Sequence, residues 1–197
     1  LVRIEDATGT GNAAKVDSKN RVHVKSVNTT EPQEQTKQGN SFDIDSALIN
    51  LTSALASAVL FIKNNEDVDL VLETLFFNFG PSTGGSGIIL IELLRNANQG
   101  TIVTAGDAIT PRNRNFGSSS TLEADVEGGA EAKTLTNGER FFDVFEFDSK
   151  QFPIPVDISI PKGSSIGIRI TPPTGNTSID VIAGARVFKD TLLEKTV

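Results

Sequence analysis

Apolar and polar residues alternate with a period of two through much of this chain, the pattern of strands with one buried face. In "NRVHVKSV", Val22 and Val24 oppose Arg21, His23 and Lys25, and Phe42 and Ile44 oppose Asp43 and Asp45 in the same way. The clearest pair is "FPIPVDISIPKGSSIGIRI": Val156, Ile158 and Ile160 alternate, a Pro-Lys-Gly-Ser turn intervenes, and Ile166, Ile168 and Ile170 alternate again. Between residues 68 and 79 the apolar phase slips. Val68, Leu70 and Leu72 share one parity and Leu75, Phe77 and Phe79 the other, so a β-bulge near Glu73 would keep both sets facing the core.

Other segments are less regular. "SALINLTSALASAVLFI" mixes helix formers with a strand-like end; residues 58–63 are read as strand, and a helical turn before them stays open. "KNNEDVD" supplies the turn residues of a hairpin, and "IILIELL" reads as a strand buried on both faces. The wholly polar residues 28–40 read as a long loop or crossover. Further strands are expected at "TIVT", weakly at 121–126, at "RFFDVFEFD" and at 179–188. Eight to ten strands separated by Gly, Pro, Asn and Ser, with no long helix, predict an all-β protein. Long unequal connections favour an antiparallel β-sandwich with jelly-roll-like wiring over a meander.

At 197 residues the chain suits one domain, read as 21–197, behind an extended N-terminal arm over 1–20. Residues 1–27 carry five cations, among them Arg3, Lys15 and Lys19, against three anions, a net +2 that leaves −9 on the remainder of a chain totalling −7. Such an arm can dock on an acidic surface or trail as a solvated tail. The overall acidity argues against direct nucleic-acid binding. No apolar run is long enough for a membrane helix and the start lacks the build of a signal peptide, so a soluble chain with no membrane partner is expected. The absence of Met implies that something preceded Leu1.

Candidate chemistry is sparse. There is no Cys, hence no disulfide, thiolate metal site or cysteine nucleophile. The single histidine, His23, sits between two cations without a neighbouring carboxylate, a poor setting for a triad. The acidic turn 64–69 has oxygen ligands but not the spacing of a calcium loop. Gly80 to Gly87 lacks the lysine and the following helix of a phosphate cradle. Asp43, Asp45, Asp143 and Glu146 are carboxylates with nothing to show that they meet. The three N-x-[ST] sites, at Asn28, Asn50 and Asn176, matter only in a chain secreted by a eukaryote. Twelve Phe without Trp or Tyr fit core packing better than a sugar-binding platform. No catalytic residue, metal site or cofactor is therefore expected, and the chain is read as a non-enzyme.

One stretch stands apart. "TPRNRNFGSSST" sets Arg112 and Arg114 among Asn113 and Asn115, with Phe116 the only large apolar residue between Pro111 and Leu122. Three readings stay open: solvated arginines with Phe116 tucked into the core rim, an interface in which the arginines and Phe116 engage a neighbour, or a phosphate or nucleic-acid contact.

The phrases "VDSKNRVHV", "LFIKNNEDVDLVLE", "NRNFGSSSTLEAD" and "IPKGSSIGIRI" together resemble tailed-phage virion structural proteins, small all-β chains encoded among head genes and regarded as capsid-associated or decoration components. The likeness runs from about Lys15 to Phe188. It implies a capsid decoration or cement protein on the capsid surface of the virion, a homo-trimer whose partner is the major capsid protein. The matching interface candidates are the arm, with Arg3, Lys15 and Lys19, and the loop, with Arg112, Arg114 and Phe116. A tail-fibre or receptor-binding module and a single jelly-roll major capsid protein are the alternatives.

Overall fold

The computed structural model describes residues 30–84, 87–102, 107–146 and 151–191, the side chains of 144–146 and 151 excepted. The predicted arm, the strand expected at 21–27 and half of "TIVT" lie outside them; the other half, Thr101 and Ile102, is turn and bend and not the expected strand. The sandwich belongs to the unit Glu31–Val197. One helix, α1 (Glu31–Gln38), precedes eleven strands: β1 (Ser41–Asp45), β2 (Ile49–Leu51), β3 (Ser57–Asn64), β4 (Leu70–Phe79), β5 (Ile89–Arg95), β6 (Arg112–Asn113), β7 (Ala124–Gly128), β8 (Glu139–Glu146), β9 (Gln151–Ile160), β10 (Ser165–Thr171) and β11 (Ile179–Lys189).

Helix α1 replaces the loop expected over 28–40. Its polar sequence has no apolar stripe, but its termini carry the signals of a helix: Glu31 and Glu34 in the first turn, Pro32 beside the start and Lys37 in the last turn. Gly39 closes it at φ +79°, with Gly39 N–H on the Thr36 carbonyl at 3.1 Å and Asn40 N–H on the Gln35 carbonyl at 2.8 Å. That pair of bonds is a Schellman stop, which a glycine at this φ permits without steric cost.

All strand pairs are antiparallel, and they form two sheets ordered β6-β1-β11-β4-β9 and β7-β3-β10-β5-β8, with β2 also on β11. Setting aside β2, β6 and β7 and counting the other eight in chain order, the sheets read 1-8-3-6 and 2-7-4-5. This is jelly-roll wiring, a double Greek key. It corrects two local expectations. "KNNEDVD" is not a hairpin turn, because β3 and β4 lie in different sheets, and the Pro-Lys-Gly-Ser turn likewise carries β9 into β10 of the opposite sheet. These two corners stack instead: Asn64 N–H bonds the Ser164 carbonyl at 3.0 Å and Gly163 N–H the Asn64 carbonyl at 2.8 Å. Nor is there a helical turn before β3; β2 and a run of bends occupy that place.

The bulge at Glu73 is present. Leu72 pairs with Val187 and Ile158 and Thr74 with Arg186 and Pro155, so Glu73 is the extra residue against β11, while on the β9 side two residues, Val156 and Asp157, lie across from it. Leu70, Leu72, Leu75 and Phe77 are thereby all fully buried. They meet Ile62, Ile91, Ile166 and Ile168 from the other sheet, each such side chain worth about 1.5–3 kcal/mol in apolar burial. Strand β5 is buried on both faces, as its sequence predicts. Ile89, Ile91 and Leu93 join this core, while Leu94 joins a second cluster with Phe61, Ala97, Ile102 and Leu135.

The second cluster exists because the long connection between β5 and β8 folds back on the sandwich. It adds β6 to the edge of β1 and β7 to the edge of β3, covering that side. On the opposite side the edge strands β8 and β9 have no further partner strand among the described residues. Phe152, Ile154, Val156 and Ile158 of β9 are accordingly only partly buried. The two edges of the molecule are thus physically unlike.

Candidate docking surface

The loop from Arg112 to Ser120 is held by its own asparagines. Asn113 donates from Nδ2 to the Gly39 carbonyl at 2.7 Å and the Ser120 carbonyl at 2.9 Å, while its Oδ1 accepts the Asn115 N–H at 2.8 Å. Asn115 donates to the Lys37 carbonyl at 2.9 Å, and its Oδ1 accepts the Gly117 N–H at 3.1 Å. These turns, in which an Asn side chain stands in for backbone, lash the loop to the C-terminal end of α1. Gly39 is also where the loop comes closest: a Cβ there would lie 2.2 Å from Ser118 Oγ.

On this frame Phe116 is fully exposed, the most exposed large apolar side chain among the described residues. It does not tuck into the core rim. Arg114 points back over the sheet, 27% exposed, its Nε 3.6 Å from Asp43 Oδ2 and its backbone N–H on the Ser41 carbonyl at 2.9 Å. Asp43 is shared with Arg186 at 3.2 Å, and Arg186 also lies over the Phe76 ring at 5.1 Å and within 3.9 Å of Glu73. Arg112 is 75% exposed and 3.3 Å from Asp45. An exposed pair of this kind contributes little to stability and is readily exchanged for another carboxylate. Arg3, Lys15 and Lys19 lie outside the described residues, as does His23.

The other sequence candidates have structural employment. In the acidic turn, Glu66 Oε1 sits 2.7 Å from Lys189 Nζ and accepts the Glu123 N–H at 2.6 Å. Asp67 pairs with Lys162, whose ammonium holds the Asp67 carboxyl below its ordinary range, and Asp69 accepts the Ser159 hydroxyl at 2.7 Å. No three ligating side chains gather into a metal site among the described residues. Asp43 and Asp45 lie in one sheet and Asp143 in the other, on outer faces that look away from each other. Gly80 to Gly87 leads into β5, not into a helix. Asn176 is buried and donates to the Leu51 carbonyl at 2.9 Å, which is no place for a glycan.

Two features were not anticipated. On the outer face of the second sheet, Glu92 is held by Arg169 through two bonds of 2.7 and 2.8 Å and by Arg140 at 3.2 Å. Arg169, more than any other neighbour, keeps the Glu92 carboxyl below its ordinary range against the opposing effect of burial. The other is a cleft of about 430 Å³ at the open edge, between the ends of β8, β9 and β10, with Phe141, Ile158, Ile160 and Ile166 in its wall. Alternation in β9 announced only a strand with one buried face; the cleft is made by three segments far apart in sequence.

No protein-family model and no curated protein matches the chain. Among solved structures it is similar to a marine algae virus of the order Picornavirales, at 11% identity over 97% of this chain and 85% of that one, with a TM-score of 0.24. It is also similar to the empty capsid of Triatoma virus, at 14% identity over 98% of this chain and 89% of that one, with a TM-score of 0.21. A third likeness is to the VP2 protein of infectious bursal disease virus, at 10% identity over 94% of this chain and 46% of that one, also at 0.21. These are weak likenesses to viral capsid proteins, and scores so low carry no weight; the jelly-roll wiring rests on the strand pairings.

Proposed function

We propose that this protein is a non-enzymatic structural component of a virion, a decoration or cement protein that stabilises a tailed-phage head by bridging major capsid protein subunits. The observation that supports it most is Phe116, fully exposed on a loop already fixed by five side-chain hydrogen bonds. An apolar side chain in water on a rigid support costs little further ordering when it docks, which is what an interface anchor requires. The clefts and carboxylates, by contrast, assemble no nucleophile, base and orienting group among the described residues.

The jelly-roll wiring favours a second reading, a single jelly-roll shell protein, because shells are among the established uses of that wiring. Quantitative mass spectrometry of purified particles separates the two. A decoration protein is present alongside a more abundant shell protein and leaves the shell closed when omitted; a shell protein dominates the particle mass. Finding the native chain only outside particles would overturn both.

A further inference from the structure

We infer that a second copy of this chain is the occupant of the open-edge cleft, and that Phe116 of one copy seats in the cleft of the next, edge to edge. The inference rests on the reading of Phe116 as an assembly anchor but assigns that anchor to contacts between copies of this chain, which leaves contact with the major capsid protein to other parts of the surface; the virion reading is tested separately, by particle copy number.

Three observations carry it. First, the knob and the cleft lie at the same level of the fold on opposite edges. Arg114 is bonded to Ser41, and across the sheet Ser41 pairs with Phe188, Phe188 with Val71 and Val71 with Ser159, a residue of the cleft wall. Four strand spacings from β6 to β9 put the two edges roughly 19 Å apart, so a neighbour set beside the sheet presents its knob at the right height. Second, the parts match in kind. The cleft, about 430 Å³, is ample for one phenyl ring: Phe141, Ile158 and Pro161 offer it apolar wall, Arg95, Asn96 and three serines complete the lining, and Phe116 is a phenyl ring with no partner surface of its own.

Third, the edge is built to be joined by side chains and not by strand addition. Pro153 and Pro155 alternate along β9 opposite Phe76 and Thr74. A proline in a paired strand is tolerated where its missing N–H would point away from the neighbour, so these two remove donors from the outer rim of β9. Sheet extension along that part of β9 is therefore disfavoured, and a knob inserted between the sheets remains available. Because knob and cleft are different surfaces, the contact is heterologous. It closes into a ring, a trimer included, if the rotation allows, and otherwise runs on as a chain.

Sedimentation velocity from micromolar to millimolar concentration tests this on four samples: the wild type, Phe116→Ser, the cleft-filling Ser164→Trp, and an equimolar mixture of the two variants. Phe141→Ser stands in if Ser164→Trp does not fold, and a thermal melt verifies each variant. The wild type is expected to associate with rising concentration. Each variant alone is expected to associate at least about tenfold more weakly. The mixture should yield dimers of one variant with the other and nothing larger, since the variants retain one complementary half each. A monomeric wild type, a Phe116→Ser or a cleft variant that associates as the wild type does, or a mixture that stays monomeric would each overturn the contact. The chain has no Cys, so Gly117→Cys mixed with Pro161→Cys offers an independent reading. Disulfide trapping between the two is expected, and its failure under conditions where the wild type associates counts against this geometry.

Discussion

Replacing Arg169 with Met leaves Glu92 in the least forgiving position on the molecule. Its side chain is 5% exposed, and the substitution removes both short bonds, leaving Arg140 at 3.2 Å as the remaining cation. Breaking a buried ion pair from one side costs about 3–5 kcal/mol. Arg169 is 32% exposed and Arg140 stays behind, so the lower end applies, about 3 kcal/mol. In a chain of this size that lowers Tm by about 6–12 °C. Glu92→Met with Arg169→Met replaces both partners by apolar side chains and should recover most of the loss.

The pH dependence gives a second check on the same residue. Arg169 depresses the Glu92 pKa in the folded protein, so the stability that Glu92 contributes is present above the unfolded carboxylate pKa and is lost as pH falls through the folded one. In Arg169→Met burial is no longer opposed by that cation, and protonation relieves the unpaired charge. The gap between wild type and variant should therefore narrow as pH drops from neutral through the carboxylate range. Urea melts at neutral and acidic pH measure it. A loss under about 1 kcal/mol, or a double variant no more stable than the single, would refute the reasoning.

Other expectations concern the loop, the sheet faces and one strained carboxylate. Asn113→Ala deletes three hydrogen bonds to Gly39, Ser120 and Asn115 and should cost about 2 kcal/mol in chemical denaturation, with faster amide exchange across 113–120. Gly167→Ala pushes a Cβ to within 2.5 Å of Leu135 Cδ1, the far end of a side chain that can shift, so a loss of about 1–3 kcal/mol is expected. Gly129→Ala meets the Ala58 carbonyl oxygen at 1.8 Å, and backbone cannot yield so easily; this variant should melt well below Gly167→Ala. Glu127 has a buried Oε2 without a hydrogen-bond partner, and burial, then Asp107 and Asp125, raise its pKa. The folded state then binds its proton before the unfolded state does, so acidification through that window stabilises the protein at this site. Glu127→Gln should raise Tm at neutral pH and lose that advantage in acid, and a lower Tm at neutral pH would contradict it.

Local pattern determined a good deal about this protein. Alternation at 42–45, 156–160 and 166–170 located strands. The parity slip between Leu72 and Leu75 located a bulge, and the unbroken apolar run of "IILIELL" announced a strand covered on both faces. Each of these is written in neighbouring residues, because strand periodicity is a property of the backbone itself. Helix α1 was also written locally, in Pro32, the acidic first turn and Gly39, but the lack of an apolar stripe hid it.

What the tertiary structure alone decided is which strands meet. A short turn between two apolar runs looks the same whether it joins neighbours in one sheet or carries the chain across the sandwich. Asn64 to Asp69 and Pro161 to Ser164 do the latter, since only burial of both inner faces against each other selects the jelly-roll pairing. The exposure of Phe116, the commitment of Arg114 to Asp43 and the open-edge cleft follow from that pairing. They depend on contacts between residues tens of positions apart, whose energy a local window of sequence does not contain.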